Sequence, residues 1–264
     1  MERTAVNNLL SGLSNGTVAT PPIKLFESGE HSVWWVGINE NTAFRSNVYL
    51  IKDADAAILV DPGHRAYFES VKDAVSKIID PKNVKALVLC HQDPDVCAAM
   101  VDWLDFNPSL KIVSTPRTHV LLPYYGKSDY DRFDAADDTE FPYGSSALKF
   151  IECPFMHFPG AFATYDPVSG FLLSGDVWAA IDSDWKLVTD DFEGHISGLD
   201  IFHKDYIASN IACKGFVEKL QNVSIEAILP QHGSIISKGD VPSAIEYLEN
   251  LNCGLDILYP HLGI

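Results

Sequence analysis

The sequence has no paired cysteines, no long apolar run and few basic residues. Its five cysteines, at 90, 97, 153, 213 and 253, are scattered and include no CxxC pair, which suits reduced thiols better than a disulfide framework. No stretch approaches 18 consecutive apolar residues, so nothing reads as a membrane span. The polar opening from Met1 to Thr20 lacks the basic-then-apolar order of a signal peptide. These absences together predict a cytoplasmic protein. Lys and Arg number 19 against 36 Asp and Glu, a formal charge of −17; such a surface repels polyanions and argues against nucleic acid or an anionic membrane as a partner. No Pro-, Gly- or Ser-rich linker divides the chain.

What is present is a soluble globular composition, 47% hydrophobic and 21% charged over 264 residues, long enough for a proper core. After a loose N-terminal arm over residues 1–20, short apolar runs bounded by Gly, Asn, Asp or Pro predict strands at Val33–Ile38, Asn47–Lys52 and Ala56–Val60. The period then becomes helical from Tyr67 to Ile79, and Ala86–Cys90 is a continuous apolar strand. Val96–Leu104 is helical, Ile112–Ser114 a strand, Thr118–Tyr125 helical and the acidic segment 127–140 a surface loop. Strands follow at Leu148–Glu152, Ala163–Tyr165 and Phe171–Ser174. The last two are joined as a hairpin by the turn Asp166-Pro-Val-Ser-Gly170. A long helix over Leu199–Leu220, a strand at Ile225–Leu229 and a helix over Val241–Leu251 complete the chain. This order predicts a single domain, 1–264, of two similar α+β halves with sheets packed face to face and helices outside.

One short stretch carries the chemistry. His91-Gln-Asp93-Pro-Asp95 follows the apolar strand directly, and His91, Asp93 and Asp95 would share one side if the backbone stayed extended through Pro94. Three further polar residues follow apolar strands with a glycine close by: His157 in Met-His-Phe-Pro-Gly, Asp176 in Leu-Ser-Gly-Asp, and His232 in Pro-Gln-His-Gly. Three aspartates gathered within a few ångströms would raise one another's pKa values. Divalent or trivalent cations remove that conflict, so the six residues are candidate metal ligands.

These motifs resemble the metallo-β-lactamase superfamily, and within it the diiron domain of flavodiiron proteins, whose pattern runs His-x-Glu-x-Asp-His, His, Asp, His. Ser46-Asn-Val-Tyr-Leu-Ile51, Ile58-Leu-Val-Asp-Pro-Gly63 and Leu229-Pro-Gln-His-Gly233 resemble the family's early strands and last ligand loop, and the similarity spans about residues 30–250. The resemblance implies an αββα sandwich of two mixed sheets. It implies one metal held by His91, Asp93, His157 and a bridging Asp176, and another held by Asp95, Asp176 and His232. Asp93 replaces the usual Glu. Val96 stands where a second-site histidine is common, leaving that metal three protein ligands.

Zinc hydrolases of the superfamily generally use a nitrogen-rich set, whereas mixed His/carboxylate sites with vacant positions suit iron or manganese. Two Fe²⁺ ions would be neutralised by three aspartates and one hydroxide, which avoids burying net charge. The resemblance therefore implies two iron ions cycling between Fe²⁺ and Fe³⁺, with O₂ or NO as ligand. The flavin-carrying domain of flavodiiron proteins has no counterpart in the sequence, so no flavin is expected. Three readings follow. The first is an oxygen sensor, like the stand-alone oxygen-binding diiron proteins linked to bacterial chemotaxis signalling, working through a signalling partner. The second is an O₂ or NO reductase fed by a separate electron-transfer protein, and the third a zinc or manganese hydrolase. Whether the chain forms a homodimer stays open.

Tyr206, in Phe202-His-Lys-Asp-Tyr206, resembles a family tyrosine near the iron pair and could hydrogen-bond a small ligand there; a tyrosine simply packing its ring is the alternative. His203 reads as a surface histidine and His195 as a candidate pocket liner. His31, His64, His119 and His261 read as structural or solvent-facing. Cys90 and Cys97 read as inert core thiols. Trp34, Trp35, Trp178 and Phe155 could wall the site with apolar surface, although plain core is commoner. The acid run Asp134–Glu140 reads as solvated loop.

Overall fold

The structure is a computed structural model in which residues 9–10, 13, 20–38 and 42–262 are described. Among the described residues, thirteen strands form two sheets. The first holds β1 (Ile23–Ser28), β2 (His31–Gly37), β3 (Val48–Asp53), β4 (Ala56–Val60), β5 (Val84–Val88), β6 (Lys111–Ser114) and β7 (Asp131–Asp134) in sequence order. The second holds β8 (Glu140–Tyr143), β9 (Ser146–Glu152), β10 (Phe162–Asp166), β11 (Phe171–Gly175), β12 (Ala227–Pro230) and β13 (Ile236–Ser237), also in order. Each sheet mixes antiparallel hairpins with parallel crossovers: β4–β5–β6–β7 are parallel neighbours in the first, and β11–β12 in the second.

The apolar runs explain the layering. Strands covered on both faces read as continuous hydrophobic segments, and alternate residues go opposite ways. In β4, Ile58 and Val60 enter the core between the sheets, while Ala57 and Leu59 enter the outer core beneath helices. In β11 and β12, Phe171, Leu173, Ala227 and Leu229 face inward and Leu172 and Ile228 outward. Phe68, Val71 and Val75 of the helix Phe68–Ser76 cover the first sheet; Leu199, Phe216 and Leu248 of three later helices cover the second. The architecture is the expected αββα sandwich. Within the expected arm, most residues lie outside the described set, and Leu10 is buried in the inter-sheet core.

Some expectations fail for physical reasons. The segment 127–140 is not all loop: Asp131–Asp134 adds β7 to the sheet edge by parallel pairing with β6, a tertiary partnership that its polar sequence does not announce. Strands β1, β8 and β13 also escape the sequence pattern. The expected long helix is two helices, Phe192–Tyr206 and Asn210–Leu220. Ile207 turns extended between them, and the freed backbone groups find partners elsewhere, Ala208 N–H on Phe155 O and Gly254 N–H on Lys204 O. No helix among the described residues is long and apolar enough to cross a membrane.

Candidate metal centre

All six candidate ligands converge at one end of the sandwich, where strand ends and loops of both sheets meet. His91 follows β5, His157 lies between β9 and β10, Asp176 follows β11 directly and His232 follows β12. Asp93 is extended (ψ 146°), but Pro94 opens a one-turn helix, Pro94–Cys97. The expected alternation through Pro94 is therefore wrong, because proline's fixed φ suits the first turn of a helix. The consequence is useful: Asp93 and Asp95 leave the backbone in different directions and address different places.

The distances define two groups joined by one carboxylate. Asp176 Oδ2 lies 3.1 Å from His157 Nε2 and 3.2 Å from His91 Nε2. Asp93 Oδ2 lies 3.4 Å from His157 Nε2 and 3.6 Å from His91 Nε2. On the other side, Asp95 Oδ2 is 3.0 Å from His232 Nε2, and Asp176 Oδ1 is 3.8 Å from the same nitrogen. Asp176 Oδ1 and His91 Nε2 are buried, with no hydrogen-bond partner among the described residues. Orphaned buried polar atoms are costly, and two of them facing a cluster of nitrogen and carboxylate donors fit cations. The side chains of His91, His157 and Asp176 alone bring ligand atoms within 4.8 Å of one another.

The imidazoles and carboxylates of the cluster favour one another's charged forms. Burial opposes charge on His157, but Asp176 and Asp93 outweigh it and lift the imidazole to about 9. Burial likewise opposes ionisation of Asp176, yet the facing imidazoles, His91 foremost, hold its carboxyl well below the usual range. Asp93 is lowered too, with burial overcome by His157 and His91.

Several neighbours set the orientation of the candidate ligands, and sequence reading gave them no such role. Asn47 donates through Nδ2 to Pro230 O (3.0 Å) and Gly233 O (2.9 Å), accepts from Trp35 Nε1–H (3.0 Å), and so pins the loop that carries His232. His232 Nδ1 lies 3.1 Å from Arg45 O, a carbonyl that accepts its proton and leaves Nε2 free as a ligand atom. Phe44 stacks on the His232 ring at 3.6 Å and 20°. Cys90 is buried as expected, but its sulfur lies 3.0 Å from His91 Nδ1. Gly233 (φ +84°) brings the backbone so close to Ala180 that a Cβ would fall 2.7 Å from the alanine methyl. Trp178 (φ 63°), two residues after Asp176, holds a left-handed conformation that costs about 1 kcal/mol or more in a non-glycine residue.

Tyr206 reaches the site as an aromatic neighbour. Its ring stands edge-on to His157 at 5.5 Å and stacks on Phe202 at 4.6 Å, with 56% of the residue exposed. The apolar wall is thus Phe44, Phe202 and Tyr206. The tryptophans go elsewhere: Trp35 into the inter-sheet core, Trp178 into the outer core of the second sheet and Trp34 against the outer core of the first, while Phe155 is exposed. His203 is not on the surface. It is fully buried, accepts the Trp178 backbone N–H through Nε2 at 2.9 Å, and desolvation lowers its pKa to about 4. His195 is buried and lines a separate cavity of about 220 Å³ with Asp182, Asp191 and Ser234. Val96 is buried in the outer core of the first sheet. His31 is structural, paired with Asp166 at 2.8 Å between buried side chains.

The profile of the family described as "ODP family beta lactamase" matches residues 44–233. The chain belongs to this family. The apo state of the chemotaxis sensor ODP from T. denticola is 30% identical, superposes with a TM-score of 0.80, and is matched over 92% of this chain and 99% of its own. The peroxy diiron species of chemotaxis sensor ODP matches equally well, over 91% of this chain. A nitric oxide reductase from Moorella thermoacetica is 28% identical over 200 residues, 73% of this chain and 49% of its own length. A diflavin flavoprotein from Synechocystis is 27% identical over 60% of this chain and 28% of its own length. The chain thus spans about half or less of those two relatives, and nearly all of the ODP sensor. The family membership and these likenesses support iron binding by the ODP-type sandwich.

Proposed function

We propose that this chain holds two iron ions and serves as an oxygen sensor, with O₂ the physiological ligand. One ion is held by His91, Asp93, His157 and Asp176, the other by Asp95, Asp176 and His232. The observation that carries the reading is the placement of Asp176, whose two oxygens face two separate donor groups, one of them orphaned and buried. Iron bound there supplies one-electron redox chemistry and vacant positions for a diatomic ligand.

The chain's own residues define the surroundings. Phe44, Phe202 and Tyr206 limit water at the His157 and His232 rings. Tyr206, whose partly exposed ring stands edge-on to His157, would donate a hydrogen bond to the small ligand through its hydroxyl. His232 presents Nε2 because Arg45 O takes its other proton. The sensor reading is favoured over a reductase because the likeness to the chemotaxis sensor extends over 99% of that chain; signalling would pass through a protein partner. The match to a nitric oxide reductase keeps the second reading, in which a separate electron donor drives reduction of NO or O₂.

Metal analysis of anaerobically purified protein, followed by optical spectra on admitting air, tests the proposal. Two irons per chain and a long-lived new charge-transfer band are expected. Zinc in place of iron would end the reading, and steady O₂ or NO consumption with an added reductase would replace sensing by catalysis.

A further inference from the structure

The Cys90 sulfur lies 3.0 Å from His91 Nδ1, between two segments that carry candidate ligands. Its backbone is clamped by both halves of the sandwich: the N–H donates to Asp61 Oδ1 at 2.9 Å, and the carbonyl accepts Phe162 N–H at 3.3 Å. On the other side stands Gly175, the residue before Asp176. A Cβ at Gly175 would lie 2.8 Å from Cys90 Sγ and 3.0 Å from Cys90 Cβ, and the glycine's φ of +57° suits no side chain well. The sulfur therefore fills the gap between the His91 and Asp176 backbones, and its direction is set by contacts other than the one to His91.

An imidazole that offers Nε2 to a metal must carry its proton on Nδ1. For His91 that proton faces Cys90 Sγ. We infer that Cys90 is a positioning residue for His91: its sulfur accepts the Nδ1–H, selects the tautomer with Nε2 free, and aims that nitrogen at the position shared with Asp93, His157 and Asp176. The inference rests on the metal reading above and adds a partner outside the ligand set. It also makes the two ends of the centre unequal, since His232 is backed by the Arg45 carbonyl, whereas sulfur is a weaker and softer acceptor. Groups of this kind govern how firmly a histidine ligand is held, and losing one typically costs 10–100-fold in metal affinity.

The test uses the full chain, stripped of metal and titrated anaerobically with Co²⁺ under reducing conditions against a competing chelator. Cys90→Ala should weaken the first binding step by about 10-fold or more and shift the cobalt ligand-field bands. Cys90→Ser, which restores an acceptor, should recover most of both. A packing role predicts the opposite order, because a buried serine hydroxyl is worse tolerated than a small apolar side chain; alanine matching wild type, or serine failing where alanine succeeds, overturns the inference. As a measurement free of any variant's folding, nitrogen NMR of zinc-loaded wild type should show His91 protonated at Nδ1, and an Nε2-protonated ring would overturn it. Failure of the underlying reading looks different: wild type would take up no Co²⁺, or His91→Ala would bind it as wild type does, and the inference would fall with it.

Discussion

Asp176 Oδ1 faces His232 Nε2 across 3.8 Å while its other oxygen sits 3.1 Å from His157. A carboxylate shared in this way would couple the two proposed metal positions. Asp176→Ala is expected to lose both irons together, whereas Asp95→Ala should lose only the one beside His232. Iron stoichiometry by elemental analysis decides; paired iron retained in the Asp176 variant would break the bridging assignment.

Asn47 is expected to be a stability determinant that also shapes the site. Asn47→Ala leaves the Trp35 indole N–H and the Pro230 and Gly233 carbonyls to find other partners, and each buried group left unpaired costs roughly 1–3 kcal/mol. Tyr49 and Trp185 still donate to Pro230 O and Gly233 O, so the indole should dominate the loss. Chemical denaturation should show a fall of a few kcal/mol, about 2 or more, with weakened metal binding at the His232 side.

The contribution of His203 to the stability of the metal-free protein should fall as pH drops from about 6.5 toward 4, against an opposite contribution from buried Asp61, whose carboxyl is raised to about 6. His203 is buried neutral, and desolvation holds its folded pKa at about 4, below its unfolded value. Between these limits the unfolded chain binds the extra proton, so this contribution rises with pH through that window and is fully present above it. The slope from this one group reaches at most about 1.4 kcal/mol per pH unit. His203→Gln, which can still accept from the Trp178 N–H, should lower the slope of the profile in that window; an unchanged slope would assign the dependence to other groups.

Tyr206→Phe keeps the stack on Phe202 and the edge contact to His157 while deleting the hydroxyl. Iron content should be unchanged, and the optical band formed on admitting air should decay at a different rate. An unchanged lifetime would leave Tyr206 only its ring contacts.

Phe44→Ala removes the ring stacked on His232. The expected outcome is weaker retention of the metal on that side and little change at the His91 side, read by chelator challenge of the loaded protein. Equal release from both positions would argue that Phe44 acts on the fold and not on the ligand.

The amino-acid sequence by itself determined the layers and picked out the six candidate donors. A short hydrophobic run bounded by turn residues, as in β4, reads as an inner strand, and a histidine or aspartate just beyond parallel strands such as β11 and β12 is delivered to the same end of the sheet. That local logic made His91, Asp93, Asp95, His157, Asp176 and His232 candidates, and the packed chain brings them together. Tertiary structure alone decided how they are aimed. Pro94 could equally have continued a strand; in the packed chain it opens a helix, and Val96 within it and Ala99 just after it exchange backbone hydrogen bonds with Gly63. The pairing of Cys90 with His91, Asn47 with the His232 loop and Phe44 with the His232 ring joins residues distant in sequence or ambiguous in role. The burial of His203, the break at Ile207 and the edge strand β7 depend likewise on partners that only the packed chain supplies. Periodicity reports the environment of a residue along its own segment; hydrogen-bond partners and ring contacts are settled by the segments that close over it.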